Sequence, residues 1–246
     1  MNYAVILSGG VGTRLGLDIP KQYYEVNGQP IIRYVIETLE KSDVVDGIVI
    51  VAASEWQAYV QKQISNKAKF LGFALPGENR QLSIYSGLCL LKEVLTGIES
   101  EESLSMCNKR GEIGKIDLKD VVVLIQDAAR PNTSLDTIAK CFDLAAEEDG
   151  VMPVLPMKDT VYSSVDGVSI SGLFDRKTIF AGQAPESFRL DKYLSANEAL
   201  LPERILNING STEPAILAGM KMKMISGDEN NYKITTEADL RRFSEQ

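Results

Sequence analysis

The sequence predicts an α/β fold in which a mostly parallel sheet is covered by helices on both faces. Short apolar, β-branched runs alternate with longer amphipathic segments. The runs are almost uninterrupted, which is typical of strands that are buried on both faces. The 246 residues, 44% of them hydrophobic, suffice for a sizeable core. We therefore expect a single domain over residues 1–246.

The predicted elements follow one another in βα order through the first part of the chain. An apolar run marks each strand and a helical period marks each helix; over 30–42, for example, Ile31, Val35 and Leu39 share one face. The predicted strands are 3–8, 46–53, 69–75 and 120–131, and the predicted helices are 30–42, 55–68, 79–95, 137–148, 191–201 and 236–245.

Two segments depart from this order. Residues at about 96–120 are polar, charged and weakly periodic, which predicts a surface insertion between a helix and the next strand. From about 153 to 188, short β-like pieces are separated by turn residues. This pattern predicts an antiparallel β-arm rather than another βα unit.

Composition and charge exclude several classes of protein. A net charge of −8 and a pI near 4.8 argue against a protein that binds nucleic acid or a membrane surface, since both favour a basic face. No apolar stretch approaches the roughly 20 residues that span a bilayer. The three cysteines, Cys89, Cys107 and Cys141, are widely spaced, which favours a reducing, cytoplasmic environment over a disulfide framework.

The chain contains no histidine. This excludes Ser-His-Asp and Cys-His catalysis and every histidine-ligated metal site. An enzyme made from these residues would use carboxylates, hydroxyls, backbone N–H groups, Arg and Lys, together with Mg²⁺ carried in by a substrate.

The strongest functional signal is the glycine-rich segment "LSGGVGTRLGLDIPKQ", which follows the first predicted strand. In open α/β sheets, ligands bind beyond the carboxyl ends of the strands. A Walker A loop is excluded because Leu15, five residues after Gly10, occupies the position of its second glycine. The dinucleotide fingerprint fits Gly10 and Gly12 but not Leu15, since Gly16 comes one place late, and no ribose-binding acid follows the second strand.

A glycine turn without a ligand would also explain these glycines. Two cations favour a phosphate site instead. Arg14 and Lys21 flank a loop that Pro20 keeps from becoming a regular helix. Such a loop can surround a polyphosphate with backbone N–H groups while the arginine fork and the lysine charge point inward.

Three segments in this order resemble one enzyme family: residues 7–22, "QDAARP" at 126–131 and "NYKITTEADL" at 231–240. They are similar to the 2-C-methyl-D-erythritol 4-phosphate cytidylyltransferases and to the related ribitol 5-phosphate cytidylyltransferases. The resemblance implies a Rossmann-like α/β domain whose protruding β-arm forms a homodimer. It also implies a reaction in which CTP and a polyol phosphate give a CDP-polyol and pyrophosphate, with Mg²⁺ bridging the CTP phosphates.

That reaction requires no strong base, because the attacking phosphate monoester is already anionic at neutral pH. It does require compensation of crowded negative charge and alignment of two anions. By resemblance, Arg14, Lys21 and Lys233 contact the phosphates and are the catalytic residues. Lys233, like Thr160 and Arg176, would be a surface residue if it were taken alone, so its assignment depends on the joint match, whereas the loop around Arg14 and Lys21 argues against a surface role for them.

The resemblance also implies two sets of binding residues. Those expected near the nucleotide are Ser8, Gly9, Gly10, Gly12, Thr13, Gly77, Glu78, Ser83 and Asp127, of which Asp127 is also a candidate Mg²⁺ ligand. Those expected near the acceptor are Arg130, Thr160, Arg176, Ser211 and Thr212, with Thr160 and Arg176 delivered by the arm into the neighbouring subunit's site. The structural alternatives are an Asp127–Arg130 ion pair that fixes a turn, and a polar turn at 76–83 that caps the next helix and is held by Arg80.

The sequence departs from the family pattern at several positions. Gln126 stands where a histidine is usual, and Thr212 stands for an aspartate, followed by an unexpected Pro214. We expect methylerythritol phosphate as the acceptor, with ribitol phosphate or another capsule-type polyol phosphate as the alternative. A non-catalytic nucleotide-binding protein and a nicotinamide dehydrogenase are the alternatives from other classes.

Overall fold

Strands and helices alternate along the part of the chain that the structure, a computed structural model, describes: residues 1–10, 18–97 and 116–246. The strands are β1 (Asn2–Leu7), β2 (Glu25–Val26), β3 (Gln29–Pro30), β4 (Gly47–Val51), β5 (Phe70–Ala74), β6 (Val122–Asp127), β7 (Gly150–Pro156), β8 (Tyr162–Ser163), β9 (Gly172–Leu173), β10 (Phe180–Gly182), β11 (Glu186–Arg189) and β12 (Met222–Ser226). The helices are α1 (Ile31–Lys41), α2 (Ser54–Gln61), α3 (Arg80–Thr96), α4 (Leu135–Ala145), α5 (Leu190–Glu198), α6 (Glu213–Leu217) and α7 (Glu237–Ser244).

An eight-stranded sheet forms the centre of the fold, in the order β10–β7–β11–β6–β1–β4–β5, with β12 also pairing with β7. Strands β6, β1, β4 and β5 are parallel to one another, and β12 is parallel to β7. Strand β11 runs antiparallel to β6 and β7, as β10 does to β7. The prediction of a mostly parallel sheet flanked by helices is confirmed.

Helices cover both faces of the sheet, because side chains along each strand point alternately to either side. Ala4 and Ile6 of β1 pack into the cluster that contains residues of α1, α2 and α4. Tyr3 and Val5 pack into the cluster on the other face, with residues of α3 and α5. In α3, a Cβ at Gly87 would lie 2.6 Å from Val5 Cγ1, so the glycine lets this helix approach the sheet closely.

The structure differs from the sequence prediction at several boundaries. The helix expected over 55–68 ends at Gln61, and the following turn is held by Glu40, whose Oε1 accepts from the backbone N–H groups of Ser65 and Asn66 at 2.8 and 2.7 Å. Strand β12, helix α6 and the β2–β3 hairpin were not predicted. The hairpin turns at Asn27 and Gly28, both with positive φ, which is the Asn-Gly signature of a two-residue turn.

The two segments singled out in the sequence are described to different extents. Of the proposed insertion at 96–120, residues 98–115 lie outside the described residues. In the proposed arm, β8 and β9 form a separate two-stranded sheet. The apolar side chains of this sheet and of the turn between its strands are exposed, with Val165 94%, Val168 89% and Leu173 67% accessible. None of the helices in the described ranges combines the length and apolar character that crossing a membrane requires.

Candidate active site

A buried carboxylate surrounded by three cations lies at the carboxyl end of β6. Asp127 is 6% exposed. Its Oδ1 lies 2.9 Å from Nη2 of Arg80, and its Oδ2 lies 3.0 Å from Nζ of Lys233 and 3.5 Å from Nε of Arg130. Burial by itself would raise the pKa of Asp127, but the charges of the three cations hold that pKa far below its ordinary value. With three cations on one carboxylate, the cluster carries a net positive charge. We call these four residues the Asp127 cluster.

Arg80 reaches Asp127 from the first turn of α3. Asn79 caps this helix by accepting from Leu82 N at 2.8 Å, and its amide donates to the carbonyl of Ile205 at 2.9 Å. Burial opposes the charge of Arg80, but Asp127 outweighs that effect and the pKa of Arg80 is raised. Sequence reasoning gave Arg80 only the role of holding its turn. One signal was present: a cation in a first turn opposes the helix dipole and so needs a partner elsewhere.

The segment before α7 brings Lys233 to the cluster. Arg130 donates from Nη1 to the carbonyl of Asn231 at 2.6 Å. Thr133 Oγ1 donates to Asn231 Oδ1 at 3.1 Å, and Ile234 N donates to Ala129 O at 2.9 Å. These bonds fix the distant segment against the turn after β6, so Lys233 and Arg130 flank the same carboxylate.

The side chain of Gln126 stabilises the turn after β6 from the opposite face of that strand. Its Nε2 lies 3.1 Å from Asp127 O, 3.0 Å from Thr133 Oγ1 and 3.4 Å from Arg130 O. The side chain is 1% exposed. An amide group can therefore perform a positioning role at the place where the family resemblance led us to expect histidine.

The loop after β1 is anchored by buried hydrogen bonds. Gln22 Nε2 donates to the carbonyls of Ser8 and Gly10 at 2.7 and 2.8 Å. Ser8 Oγ and Tyr23 OH are 2.8 Å apart, and the Tyr23 ring stacks on Trp56 with centroids 4.4 Å apart. The residues Gly12, Thr13 and Arg14, which were predicted to contact the nucleotide, lie outside the described residues.

Lys21 begins the short 3₁₀ turn Lys21–Tyr23, directly after Pro20. The two residues that follow it are those that bind the Ser8 loop. The position of the Lys21 backbone is therefore coupled to that loop through Gln22 and Tyr23.

The turn at 76–83 packs against the same loop. A Cβ on Gly9 would lie 2.4 Å from Pro76 Cβ, so this contact requires glycine. Gly77 N donates to Ser83 Oγ at 3.1 Å, and Ser83 Oγ donates to Asn79 O at 2.9 Å, so the hydroxyl of Ser83 stabilises the turn. Glu78 is exposed.

The residues expected near the acceptor fall into two groups. Ser211 and Thr212 are 4% and 8% exposed, and Ser211 Oγ donates to Glu186 Oε1 at 2.6 Å. Thr160 and Arg176 lie in the exposed part of the arm, where Arg176 Nη1 donates to Lys158 O at 2.6 Å.

Glu186, which sequence reasoning missed, is 5% exposed. Little in the sequence could have found it, since Phe188 is the only apolar residue of the strand "ESFR".

The described residues offer few ligands for a resident metal. Within residues 1–10, 18–97 and 116–246, no three His, Cys, Asp or Glu side chains gather closely enough to hold a metal ion. Asp127 already faces three cations. As the only carboxylate of its cluster, Asp127 would supply at most one protein ligand to a Mg²⁺ ion.

Comparisons with known proteins agree on one family. Residues 2–97 and 111–244 match the model of the IspD family, 2-C-methyl-D-erythritol 4-phosphate cytidylyltransferase. The protein of that name from Geobacter metallireducens is 30% identical over 244 residues, covering 97% of this chain and 94% of the relative. A ribitol-5-phosphate cytidylyltransferase from Streptococcus agalactiae is also 30% identical, over 246 residues, covering 99% of this chain and 93% of the relative.

Solved structures share the fold. The 4-diphosphocytidyl-2C-methyl-D-erythritol synthase from Anaerococcus prevotii superposes with a TM-score of 0.75 at 19% identity, covering 99% of this chain and 93% of its own. The 2-C-methyl-D-erythritol 4-phosphate cytidylyltransferase from Francisella tularensis gives 0.74 at 22% identity, covering 98% and 97%.

The sheet, the anchored glycine loop after β1 and the cationic cluster after β6 suit an α/β enzyme that binds phosphorylated ligands, and the family match makes it a nucleotidyltransferase. The family match and the two relatives carry the assignment further. The chain belongs to the IspD family of cytidylyltransferases.

Proposed function

We propose that the protein transfers CMP from CTP to 2-C-methyl-D-erythritol 4-phosphate, giving the CDP-polyol and pyrophosphate. The observation that carries this proposal is the Asp127 cluster, which gathers three cations at the carboxyl end of β6, next to the strand that precedes the glycine loop. Such a cluster suits two anionic substrates that must approach each other.

In the proposed reaction an oxygen of the acceptor's phosphate attacks the α-phosphorus of CTP. The new P–O bond forms as the bond to the β-phosphate oxygen breaks, and pyrophosphate leaves. Arg14 and Lys21 offset the charge on the triphosphate, and Lys233 and Arg130 hold the acceptor phosphate and the nucleotide in line. A Mg²⁺ ion that arrives with CTP neutralises phosphate oxygens when bound.

The remaining sequence predictions assign the other roles. Ser8, Gly9 and Gly10, with the turn that contains Gly77, surround the nucleotide, and Ser211 and Thr212 contact the acceptor. The exposed apolar side chains of the arm, such as Val165 and Leu173, form a homodimer contact, which lets Thr160 and Arg176 enter the partner's site.

Ribitol 5-phosphate is the second candidate acceptor. It is favoured by Thr212, which replaces an expected aspartate, and by a relative named for ribitol 5-phosphate that is as similar to this chain as the one named for methylerythritol phosphate.

Steady-state kinetics with a panel of acceptors tests the proposal. The panel contains methylerythritol, ribitol, glycerol and erythritol phosphates, each with saturating CTP and Mg²⁺, and pyrophosphate release is measured. We expect the highest kcat/KM with methylerythritol 4-phosphate. A higher kcat/KM with ribitol 5-phosphate would establish the second candidate, and release that is independent of every acceptor would refute transfer to a polyol phosphate.

A further inference from the structure

One buried carboxylate beside the site has no role in the transfer described above. Glu186 opens β11 and is 5% exposed. Its Oε1 accepts from Ser211 Oγ at 2.6 Å. Among the described residues, its Oε2 has no hydrogen-bond partner. A buried carboxylate oxygen without a donor is costly, so its retention points to a ligand that supplies one.

A matching hydrogen-bond donor lies on α3. Nη2 of Arg80 binds Asp127, whereas its Nη1 is buried and, within the described part of the chain, also has no hydrogen-bond partner. Burial raises the pKa of Glu186, and the charge of Arg80 is the largest opposing influence, so the two groups lie within electrostatic reach of each other.

Sheet register places Glu186 beside the Asp127 cluster. Glu186 pairs with Ile125 across β11 and β6, and Asp127 follows Ile125 by two residues along β6. Paired residues, and residues two apart in a strand, lie on the same face of a sheet. Glu186 and Asp127 therefore share the face that α3 and α5 cover.

The two atoms without partners, Oε2 of Glu186 and Nη1 of Arg80, indicate which kind of ligand group would suit them. A phosphate oxygen would suit Arg80 but would be repelled by Glu186, and a cation would suit Glu186 but would be repelled by Arg80. A hydroxyl group both donates and accepts, so its chemistry suits both atoms. The two sources of hydroxyls in the proposed reaction are the polyol and the ribose of CTP.

We propose that Glu186 is a specificity-determining residue that accepts a hydrogen bond from a hydroxyl of the acceptor polyol, while Ser211 holds its carboxylate in place. The polyol is favoured over the ribose because Ser211 belongs to the segment expected to bind the acceptor. This inference rests on the proposed function.

Two substitutions at one position test it. Glu186→Met removes the carboxylate at similar volume, and Glu186→Gln keeps the shape without the charge. Glu147→Gln, at an exposed position of the same residue type, is the matched control. For each protein, kcat/KM is measured for the preferred polyol phosphate, for its monodeoxy analogues, and for CTP and 2′-deoxy-CTP.

We expect Glu186→Met to lower kcat/KM for the acceptor about 10–100-fold, the typical worth of a hydrogen bond to a charged group. Glu186→Gln should lose less, and Glu147→Gln should lose nothing. One monodeoxy analogue should cost the wild type a similar factor yet cost Glu186→Met almost nothing further, because the bond is already absent. Kinetics with CTP and 2′-deoxy-CTP should be unchanged.

Three results would overturn the inference. The first is an unchanged acceptor profile in both well-folded variants. The second is a loss that appears only in the discrimination between CTP and 2′-deoxy-CTP, which would assign Glu186 to the ribose. The third is a shifted Mg²⁺ requirement without an effect on the acceptor, which would assign it to the metal. A wild type that is inactive with every polyol phosphate would refute the proposed function and this inference together, whereas an active wild type with unaffected variants refutes only the role of Glu186.

Discussion

Replacing Asp127, the carboxylate of the Asp127 cluster, is the substitution whose effect on stability can be estimated most directly from the structure. Asp127→Asn removes the negative charge that three cations share while keeping the shape of the side chain. Arg130, with a side chain 13% exposed, is then left buried without its counter-ion. Arg80 and Lys233, at 35% and 37%, lose the same partner but remain within reach of water.

These exposures set the expected magnitude. Removing one partner of a buried ion pair costs about 3–5 kcal/mol. Pairs that are partly exposed contribute about 1 kcal/mol or less, because water screens them. Arg130 is 13% exposed and keeps its hydrogen bond to Asn231 O, so its share falls below the figure for a fully buried pair, and we expect Asp127→Asn to lower the free energy of unfolding by about 2–4 kcal/mol in total at pH 7. Asp136→Asn, which removes an exposed partner of Lys140, should change it by less than about 0.5 kcal/mol.

Urea denaturation as a function of pH is the assay. Because the folded-state pKa of Asp127 lies below its unfolded value of about 3.9, the stabilisation is fully present above that value and is lost as the pH falls towards the folded-state pKa. The gap between wild type and Asp127→Asn should therefore be constant from pH 7 to about 5 and should narrow below about pH 4. Equal stability at pH 7, or a gap that widens in acid, would refute the electrostatic account of the cluster.

Three further predictions concern the loop and the arm. Arg14→Ala and Lys21→Ala should each lower kcat about 10²–10³-fold, as the loss of one preorganised charge contact does, with unchanged circular dichroism, whereas the exposed Lys62→Ala should not. Tyr23→Phe removes the hydroxyl that anchors the β1 loop, so it should cost about 1 kcal/mol in urea denaturation and raise the KM for CTP severalfold. Leu173→Glu places a charge on the exposed apolar face of the arm, and light scattering should detect a monomer in place of the homodimer proposed for the wild type.

Each of these predictions has a contrary outcome. Near-normal turnover in both cation variants would remove their proposed roles. A KM for CTP that does not respond to Tyr23→Phe would mean that the anchored loop does not contact the nucleotide. A Leu173→Glu variant with the same mass in solution as the wild type would place any dimer contact elsewhere.

The core of the fold could be predicted because its signals are local. Strands β1, β4 and β6 each contain an unbroken apolar run, and burial on both faces requires that composition. Strand β12 has no such signal: it lies at the edge of the sheet, and its consecutive residues Lys223 and Met224 are both exposed.

The contacts of the site also divide into those that are local in the sequence and those that are not. Asp127 and Arg130 lie three residues apart, so their proximity could be expected from the sequence. Arg80 and Lys233 reach Asp127 from 47 and 106 positions away, and only the packing of α3 and of the segment before α7 against the end of β6 determines these contacts. Glu186 was missed because its partners come from other elements of the fold.

Every role proposed for the site depends on the protein joining CTP to a polyol phosphate. Phosphorus NMR of the purified protein with CTP, Mg²⁺ and methylerythritol 4-phosphate tests it most directly. We expect a new pair of diphosphate resonances from the CDP-polyol, appearing in equal amount with pyrophosphate and only when all three components are present. Conversion of CTP to CMP and pyrophosphate at the same rate without the acceptor, or no consumption of CTP at all, would contradict it.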